Sequence, residues 1–471
     1  MSKARKILSL VLLVLMVSTT LSMYGCTTNS TTKDTGEKTQ VGSKDTKQSQ
    51  EPVKITLWTA PDWKGVYDPT VAGANYGDFY KFAGKDFVKE NSNVTVNVES
   101  VPGADRDAKL SIAIQSHTQP DIYVGADFTM FDYVHNGLIV PLNDVITDAD
   151  KQDIPASIWD GVTANGNIYM FPYYTETGHM ALNVDLFKQA GAEALIPKGG
   201  ANTIVRWTPD EFKDALRAVK KLDGVYPFAF YCGSTQGDTY NILLLEMFGA
   251  KLFNKDGTQV TINDANGVKA LEFIKSLKDE GLLAPGAESL NVLDVYQLFL
   301  NKKTAVSIFN NVNYDALNNG LKAKSIQEPF NIQMAFLPSA GDPMCYAYAM
   351  GSVVFDSGNE LQTQTAKQFV KFYTNEPYVD ASMSMLPLRK SVAQKLLDPL
   401  KVKIAESAEF SVSFSQKAPG YLKLRASLFP ELQAFMTGQK TAQQALDSYA
   451  KNANAILKDG VANSVLLNGK K

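Results

Sequence analysis

The stretch FYKFAGKDFVKENSNVTVNVES (residues 79–100) changes from a helical pattern to a strand pattern along its length. Its first half places apolar residues at near-helical spacing, and its second half alternates valine with polar residues, so that the valines share one strand face. The residues concerned are Phe79, Phe82, Ala83 and Phe87 in the helical part and Val94, Val96 and Val98 in the strand part. We therefore predict a helix followed directly by a strand.

The same alternation of strand and helix continues along the chain. Further strand candidates are KITLW (54–58), DIYVG (121–125), YMFPYY (169–174), AVSIF (305–309), IQMAFLP (332–338) and SVVF (352–355), and helical stretches separate them. Thr208 with Glu211, and Thr441 with Gln444, have the spacing of a capping box before an amphipathic helix. The pattern predicts an α/β architecture with largely parallel sheets.

The composition excludes several classes of function. The chain has 471 residues, with 45% hydrophobic and 20% charged residues, which is typical of a soluble protein long enough for two domains. A net charge of −3 without a basic cluster argues against nucleic-acid binding. The three histidines have no metal-ligand spacing, so we expect no metal and no cofactor. Cys232 and Cys345 could either pair or remain as buried thiols.

The N-terminus has the pattern of an export signal. Basic residues within the first six precede an apolar run, residues 7–17, which is shorter than the roughly 20 residues of a membrane-spanning helix. The following MYGC (23–26) resembles the lipobox of bacterial lipoproteins, which implies cleavage after residue 25 and lipid attachment at Cys26. An ordinary signal peptide with an incidental cysteine is the alternative. The polar segment 27–52 is predicted to be a flexible linker.

From Val53 onward, the order of segments resembles the extracellular solute-binding proteins of sugar ABC transporters, the maltose-binding-protein type. The similar segments are ITLW (55–58), LSIAIQSHTQPDIYVGADFTMFDYVHNGLIVPLNDVI (110–146), GNIYMFPYYTETGHMALNVDLFKQAG (166–191), RWTPDEF (206–212), FLNKKTAVSIFN (299–310) and MLPLRKSV (385–392). Each segment alone is a weak signal, but their order covers nearly the whole chain after the linker.

The resemblance implies a two-lobed periplasmic-binding-protein type II fold, with a doubly wound sheet in each lobe and a hinge of several crossovers. The expected N-terminal lobe is 53–174 with 347–382, and the expected C-terminal lobe is 175–346 with 383–471. A sugar, in our expectation an oligosaccharide, would bind between the lobes and pass to the permease of an ABC transporter. The expected protein is a monomer, lipid-anchored at the extracellular face of the membrane, in a Gram-positive cell.

The resemblance also implies a set of ligand-binding residues with the chemistry that sugars require, namely aromatic faces and hydrogen-bonding side chains. These are Trp58, Asp62 and Trp63 after the first strand, Asp127 after a later strand, Glu176 at the first crossover, Asp238 and Tyr240 near a further loop, and Tyr348 at the second crossover. Several of them also have a structural alternative: Trp58 could pack in the strand core, and Asp127 and Glu176 could hydrogen-bond a helix start or the hinge.

Two arginines raise the hypothesis of an acidic ligand. Arg389 and Arg425 could bind a carboxylate with two parallel hydrogen bonds, as a uronate-containing sugar would offer. The structural alternative is that both arginines form internal salt bridges or stack on rings.

Rival functions remain open at this point. A protein of the same fold could bind a non-sugar solute, or a tethered surface module could act without transport. A secreted glycosidase would need two carboxylates flanking the scissile bond, and no catalytic motif surrounds the candidate carboxylates. We therefore expect a binding protein and not an enzyme.

Overall fold

A computed structural model describes residues 51–59, 78–101, 103–200, 202–233, 238–322, 329–375, 378, 386–395, 398–412 and 417–469. The strands are β1 (Val53–Thr59), β2 (Val94–Ser100), β3 (Ile122–Ala126), β4 (Thr163–Ala164), β5 (Asn167–Ile168), β6 (Phe171–Asn183), β7 (Ile204–Val205), β8 (Tyr226–Phe228), β9 (Thr304–Asn310), β10 (Ile332–Ala335), β11 (Tyr346–Val354) and β12 (Leu386–Pro387).

Helices surround these strands. They are α1 (Asp78–Glu90), α2 (Gly103–Gln115), α3 (Asp127–His135), α4 (Asp148–Asp153), α5 (Ala156–Gly161), α6 (Val184–Gln189), α7 (Pro209–Val219), α8 (Asp238–Glu246), α9 (Ala265–Asp279), α10 (Val292–Leu300), α11 (Asn311–Lys322), α12 (Glu360–Tyr373), α13 (Lys390–Ala393), α14 (Pro399–Glu406), α15 (Tyr421–Ala426), α16 (Leu428–Met436), α17 (Ala442–Asn463) and α18 (Val465–Asn468). Short 3₁₀ turns occur at Glu193–Leu195 and Ser407–Phe410.

One long strand, β6, joins two groups of strands. Its first part pairs with β11 and β12, and β11 continues through β3 to β1 and β2. Its second part pairs with β9 on one side and β10 on the other, and these strands lead to β8 and β7. We call β1, β2, β3 and β11 the first strand group, and β7, β8, β9 and β10 the second.

The expectation of largely parallel sheets is only partly correct. The pairs β1–β2, β1–β3, β8–β9 and β7–β10 are parallel, but every pairing made by β6 is antiparallel, and so is β11–β3. The reason lies in the connectivity, because the chain leaves the first group along β6 and comes back along β11. Two passages in opposite directions must pair antiparallel where they lie side by side.

The locally encoded helix signals are confirmed. The Thr208 side chain accepts the Glu211 N–H, and the Glu211 carboxylate accepts the Thr208 N–H at 2.8 Å. Thr441 and Gln444 form the second capping box at the start of α17. The buried face of α7 consists of Phe212, Ala215, Leu216 and Val219 together with Pro209, which agrees with the amphipathic helix predicted after this capping box.

Within the described residues, the buried apolar side chains form two clusters. The larger runs through both strand groups, and the smaller lies around Phe299 and Phe309 beside β9. Cys232 and Cys345 are both fully buried free thiols, so they pack as small apolar residues. Within the described ranges, no helix has the length and hydropathy needed to cross a membrane.

Candidate functional site

Glu176 lies in the middle of β6, where the two strand groups meet, and receives several hydrogen bonds. Asn310 Nδ2 donates to Glu176 Oε1 at 2.8 Å, and the Tyr346 hydroxyl donates to the same oxygen at 3.0 Å. Tyr348 lies directly opposite Glu176 on β11 and also forms a hydrogen bond with it. Strands β6, β9 and β11 thus aim polar groups at one half-buried carboxylate.

Aromatic rings surround this carboxylate. Tyr346 and Tyr348 share one face of β11 because side chains alternate along a strand, and their rings stack with centroids 5.2 Å apart. Tyr240 of α8 meets Tyr346 edge-on at 4.9 Å, and Phe128 of α3 meets Tyr348 edge-on at 4.9 Å. The result is an apolar wall that carries several hydroxyl groups.

Asp127 is the first residue of α3 and follows the end of β3. Its Oδ2 accepts the Ala349 N–H at 3.0 Å, which connects it to the strand that carries Tyr348. Loss of hydration on burial raises the pKa of Asp127 from 3.8 to about 7, and hydrogen bonds from the Ala349 and Phe128 amides only partly oppose this shift. A second carboxyl group, whose pKa is raised by burial, therefore lies near Glu176 and the tyrosine rings around it.

Asp238 and Arg425 form a buried ion pair that contacts the same set of aromatic rings. Asp238, the first residue of α8, is fully buried and pairs with the Arg425 guanidinium. The Tyr421 hydroxyl lies 3.4 Å from Asp238 Oδ2. The Arg425 guanidinium also lies over the Phe128 ring, 5.2 Å from its centroid. The charge of Arg425 is thus balanced within the protein, as the structural alternative for this residue expected.

Six of the ten residues proposed from the sequence therefore belong to one connected set of contacts. We call this set the Glu176 cluster, and its members are Asp127, Phe128, Glu176, Asp238, Tyr240, Asn310, Tyr346, Tyr348, Tyr421 and Arg425. The contacts run from Asp127 through β11 to Glu176, on through Tyr346 to α8, and back through Arg425 to Phe128.

The other candidates lie elsewhere. Arg389 donates to Asp150 and Asp153 and to the Thr374 carbonyl, with Nη2 2.7 Å from Asp150 Oδ1. It is 4% exposed and so forms a buried ion-pair network, again as its structural alternative expected. Trp58 is half-buried, and Lys109 Nζ lies 4.4 Å from the centroid of its ring. Asp62, Trp63 and Cys26 lie outside the described residues.

The sequence interpretation missed four members of the cluster, Phe128, Asn310, Tyr346 and Tyr421. The alternation in CYAYAM (345–350) already places Tyr346 on the same strand face as Tyr348. Asn310 is the last residue of β9, and Phe128 comes two residues after the end of β3. Both strands form parallel pairs, β9 with β8 and β3 with β1. Ligands of open α/β sheets bind beyond the carboxyl ends of such strands.

The chemistry of the cluster suits a ligand with apolar faces and hydroxyl groups. Carboxylates accept hydrogen bonds, tyrosine hydroxyls accept and donate them, and tyrosine rings cover apolar surface. In the part of the chain that the structure describes, no group of three or more His, Cys, Asp or Glu side chains could hold a metal ion.

Two strand groups joined by antiparallel crossing strands, with a polar–aromatic cluster at the junction, define a two-lobed α/β binding fold. The family described as bacterial extracellular solute-binding protein matches residues 73–380, and the chain belongs to this family. The resemblance inferred from the sequence is thus confirmed, and so is the type II fold that it implied.

Solved structures agree on the fold. The GacH receptor of Streptomyces glaucescens GLA.O, solved without ligand and with acarbose, has a TM-score of 0.70 at 19% identity and covers 87% of this chain and 100% of its own. A solute-binding protein of an ABC transporter from Thermotoga lettingae TMO, bound with α-D-tagatose, has a TM-score of 0.72 at 18% identity, with the same two coverages.

Two proteins that are similar in sequence each match more than half of this chain, at 25% identity or less. A protein of Brucella abortus (strain 2308), whose name specifies only a binding protein, is 25% identical over 399 residues, which are 82% of this chain and 91% of the relative. The arabinooligosaccharide-binding protein of Bacillus subtilis (strain 168) is 23% identical over 301 residues, 63% of this chain and 60% of the relative.

Proposed function

We propose that this chain captures an extracellular oligosaccharide and delivers it to the permease of an ABC transporter. The observation that carries the proposal is the Glu176 cluster, in which carboxylates and stacked tyrosines converge where the two strand groups meet. The names of similar proteins agree with this, because their ligands include acarbose, tagatose and arabinooligosaccharides. In this proposal the lobes are 53–174 with 347–382 and 175–346 with 383–471, and they close around the ligand.

The ligand in this proposal is neutral. Arg425 pairs with Asp238 and Arg389 pairs with Asp150, so both arginines that suggested a uronate already have carboxylate partners. A bound uronate would have to compete with these buried partners, and separating a buried ion pair is costly. Glu176 and Asp127 would in addition repel an anion when ionised.

Titration calorimetry tests this function. The domain starting at Val53 would be titrated with neutral gluco-, xylo-, manno- and arabino-oligosaccharides, with uronate-containing chains, and with amino acids, peptides and polyamines as controls. We expect binding to one neutral series, and chromatography of the bound sugar should recover it intact. Binding only among the controls would overturn the substrate class, and selective uronate binding would overturn the neutral ligand. Recovery of shortened sugar would instead indicate a glycosidase.

We also propose that Cys26 carries the lipid that holds the protein at the extracellular face of the membrane. A binding protein that hands its ligand to a permease gains from being kept close to it, because a tether raises the effective concentration. Cys26→Ser should release the full-length protein into the medium of cells that express it. Retention of this variant in the membrane fraction would contradict the anchor.

A further inference from the structure

A buried aspartate joins α3 to the segment that leads into α15. Asp132 Oδ1 accepts the Gly420 and Tyr421 N–H groups at 2.6 and 2.9 Å, and Oδ2 accepts the Leu422 N–H at 2.7 Å. Asp132 is 7% exposed, and burial raises its pKa while the three amides oppose that shift. The N–H groups of three consecutive residues thus converge on one side chain of α3, and removing this acceptor would leave them without their partner, which is costly.

Two neighbouring residues reinforce the same contact. His135 Nε2 donates to the Lys417 carbonyl at 3.1 Å, and His135 Nδ1 hydrogen-bonds with the Ser464 hydroxyl at 2.8 Å. Lys417 Nζ donates to the carbonyl oxygens of Asp160 and Thr163, each at 2.7 Å. Lys417 itself has a φ of 59°, a left-handed conformation that costs a non-glycine residue energy unless its surroundings hold it.

Helix α15 connects this contact to the Glu176 cluster. It begins at Tyr421, whose amide binds Asp132, and its last turn contains Arg425, which pairs with Asp238 and lies over Phe128. Helix α3 begins with Asp127 and Phe128 and reaches Asp132 about one and a half turns later. Helix α15 therefore contacts α3 near both of its own ends. Tyr421 meets Asp132 at the first, and Arg425 meets Phe128 in the Glu176 cluster at the second.

The contact bridges elements that belong to different strand groups. Helix α3 follows β3 of the first group, whereas α15 packs on α17, which packs on α9. Helix α9 is joined to α7 by the Lys213–Ser276 hydrogen bond, and α7 packs on β8 and β9 of the second group. Next to Asp132, a cavity of about 600 Å³ separates α2 and α3 from α15 and α17. The pair α2 and α3 is therefore incompletely packed against the pair α15 and α17 at this point. The hydrogen bonds of Asp132 join α3 to α15 at the edge of the cavity.

We propose that Asp132 is a positioning residue that holds α15 against α3 when the lobes close, and so sets how much of the protein is closed and how tightly it binds its ligand. The proposal rests on the two-lobed binding function given above. Asp132 acts through α15, and its effect reaches the ligand by shifting the population of the closed state.

Aspartate variants with a matched control test this proposal. Asp132→Ala removes all three acceptor contacts, whereas Asp132→Asn keeps Oδ1 for two amides and places an NH₂ group against the third. The control is Asp121, which is also 7% exposed and accepts the Thr56 N–H at 2.7 Å, but within the first strand group. Asp121→Ala and Asp121→Asn therefore disturb a buried carboxylate without touching the contact between groups.

Three measurements on each folded variant decide the outcome: the radius of gyration by small-angle scattering without and with ligand, the ligand dissociation constant, and the free energy of unfolding. The ligand is the sugar found by the calorimetric panel. We expect Asp132→Ala to weaken binding about tenfold or more through faster release, which corresponds to about 1.4 kcal/mol. Asp132→Asn should lie between it and the wild type, and both should enlarge the ligand-free protein. The Asp121 variants should lose stability without either change.

Equal loss of affinity in the Asp132 and Asp121 variants would overturn the proposal, and so would wild-type affinity in Asp132→Ala. If Asp132→Ala does not fold, the graded effect expected for Asp132→Asn decides alone. A wild-type protein that binds no sugar would refute the proposed function only. The positioning role would then be judged by the ligand-free radius of gyration, and equal radii for wild type and the Asp132 variants would refute it.

Discussion

Two buried sites in this protein each contain an arginine and several carboxylates, but the pKa of an aspartate is lowered in one site and raised in the other. In the first, which we call the Asp150 network, Arg389 and Lys371 both bind Asp150, and Arg389 also reaches Asp153. Burial alone would raise the pKa of Asp150, but hydrogen bonds from Lys371, Thr147 and Arg389 hold it well below its usual range. In the Glu176 cluster, burial raises the pKa of Asp127 to about 7.

This difference in pKa distinguishes a network of ion pairs that stabilises the fold from the cluster that we propose as the ligand site. Each carboxylate of the Asp150 network has cationic partners supplied by the protein. In the Glu176 cluster, Arg425 pairs with Asp238. The ionised form of Asp127 is stabilised only by hydrogen bonds from backbone amides. A carboxylate whose ionisation is disfavoured in the folded state lowers stability at neutral pH, and such groups are frequent at functional sites.

Arg389→Met should give the largest change and should affect stability alone. The substitution leaves Asp150 buried beside a single cation, and removing one partner of a buried ion pair costs about 3–5 kcal/mol. Denaturant unfolding measures this loss. Arg217→Met is the control, because Arg217 pairs with Glu280 at the surface, where solvent screens the ion pair, and its loss should change stability far less. Equal losses, or a changed ligand affinity in folded Arg389→Met, would erase the contrast between the two sites.

Asp127→Asn should have the opposite effect on stability. The amide oxygen can still accept the Ala349 N–H, while the cost of ionising a buried group disappears. A pKa raised from 3.8 to about 7 corresponds to a gain of up to about 4 kcal/mol in the unfolding free energy above pH 7. Ligand binding should weaken, because a donor replaces an acceptor. Asp121→Asn, at a buried aspartate outside the cluster, should destabilise. A loss of stability in Asp127→Asn would contradict the conclusion that the ionised form of Asp127 destabilises the folded protein.

The pH dependence of stability should sharpen the same comparison. Because the folded-state pKa of Asp127 is raised, its protonated form favours folding, and that contribution is complete below about pH 4 and disappears as pH rises through 7. Asp150 behaves oppositely, since its lowered pKa contributes stability that disappears as pH falls below 4. The stability difference between Asp127→Asn and wild type should thus be close to zero near pH 4 and grow up to pH 7. A difference that stays constant with pH would show that Asp127 does not titrate in this range.

The local parts of this fold were accessible from the sequence because the interactions that determine them lie within a few residues. The capping boxes at Thr208 and Thr441 depend on residues three positions apart, and both form. The antiparallel pairing of β6 with its neighbours was missed because it depends on where the chain goes between distant segments. Periodicity indicates that a strand exists and gives no information about its partner.

The candidate site shows the same limit. Asp127, Glu176 and Tyr348 could be proposed because they lie in short motifs that resemble a family. The partner of Arg425, however, is Asp238, which lies 187 positions away, so no local pattern distinguishes this arginine from one that meets a ligand. For the same reason the sequence left two interpretations open for Arg389 and Arg425, a carboxylate of the ligand or an internal salt bridge.

The smallest expected effect concerns a single hydroxyl of the Glu176 cluster. Tyr346→Phe keeps the ring stacked on Tyr348 but removes the hydrogen bond to Glu176 Oε1, which should cost about 1 kcal/mol of stability. Because Glu176 then holds its position less firmly, ligand affinity should fall by up to about tenfold. Tyr373→Phe is the matched control. The Tyr373 hydroxyl lies 2.6 Å from the Ser352 hydroxyl and joins α12 to β11, away from the cluster, so its loss should lower stability by a similar amount and leave affinity unchanged. If calorimetry finds the same affinity in both variants, the hydroxyl of Tyr346 supports the fold only, and the cluster would be closer in kind to the Asp150 network than we infer.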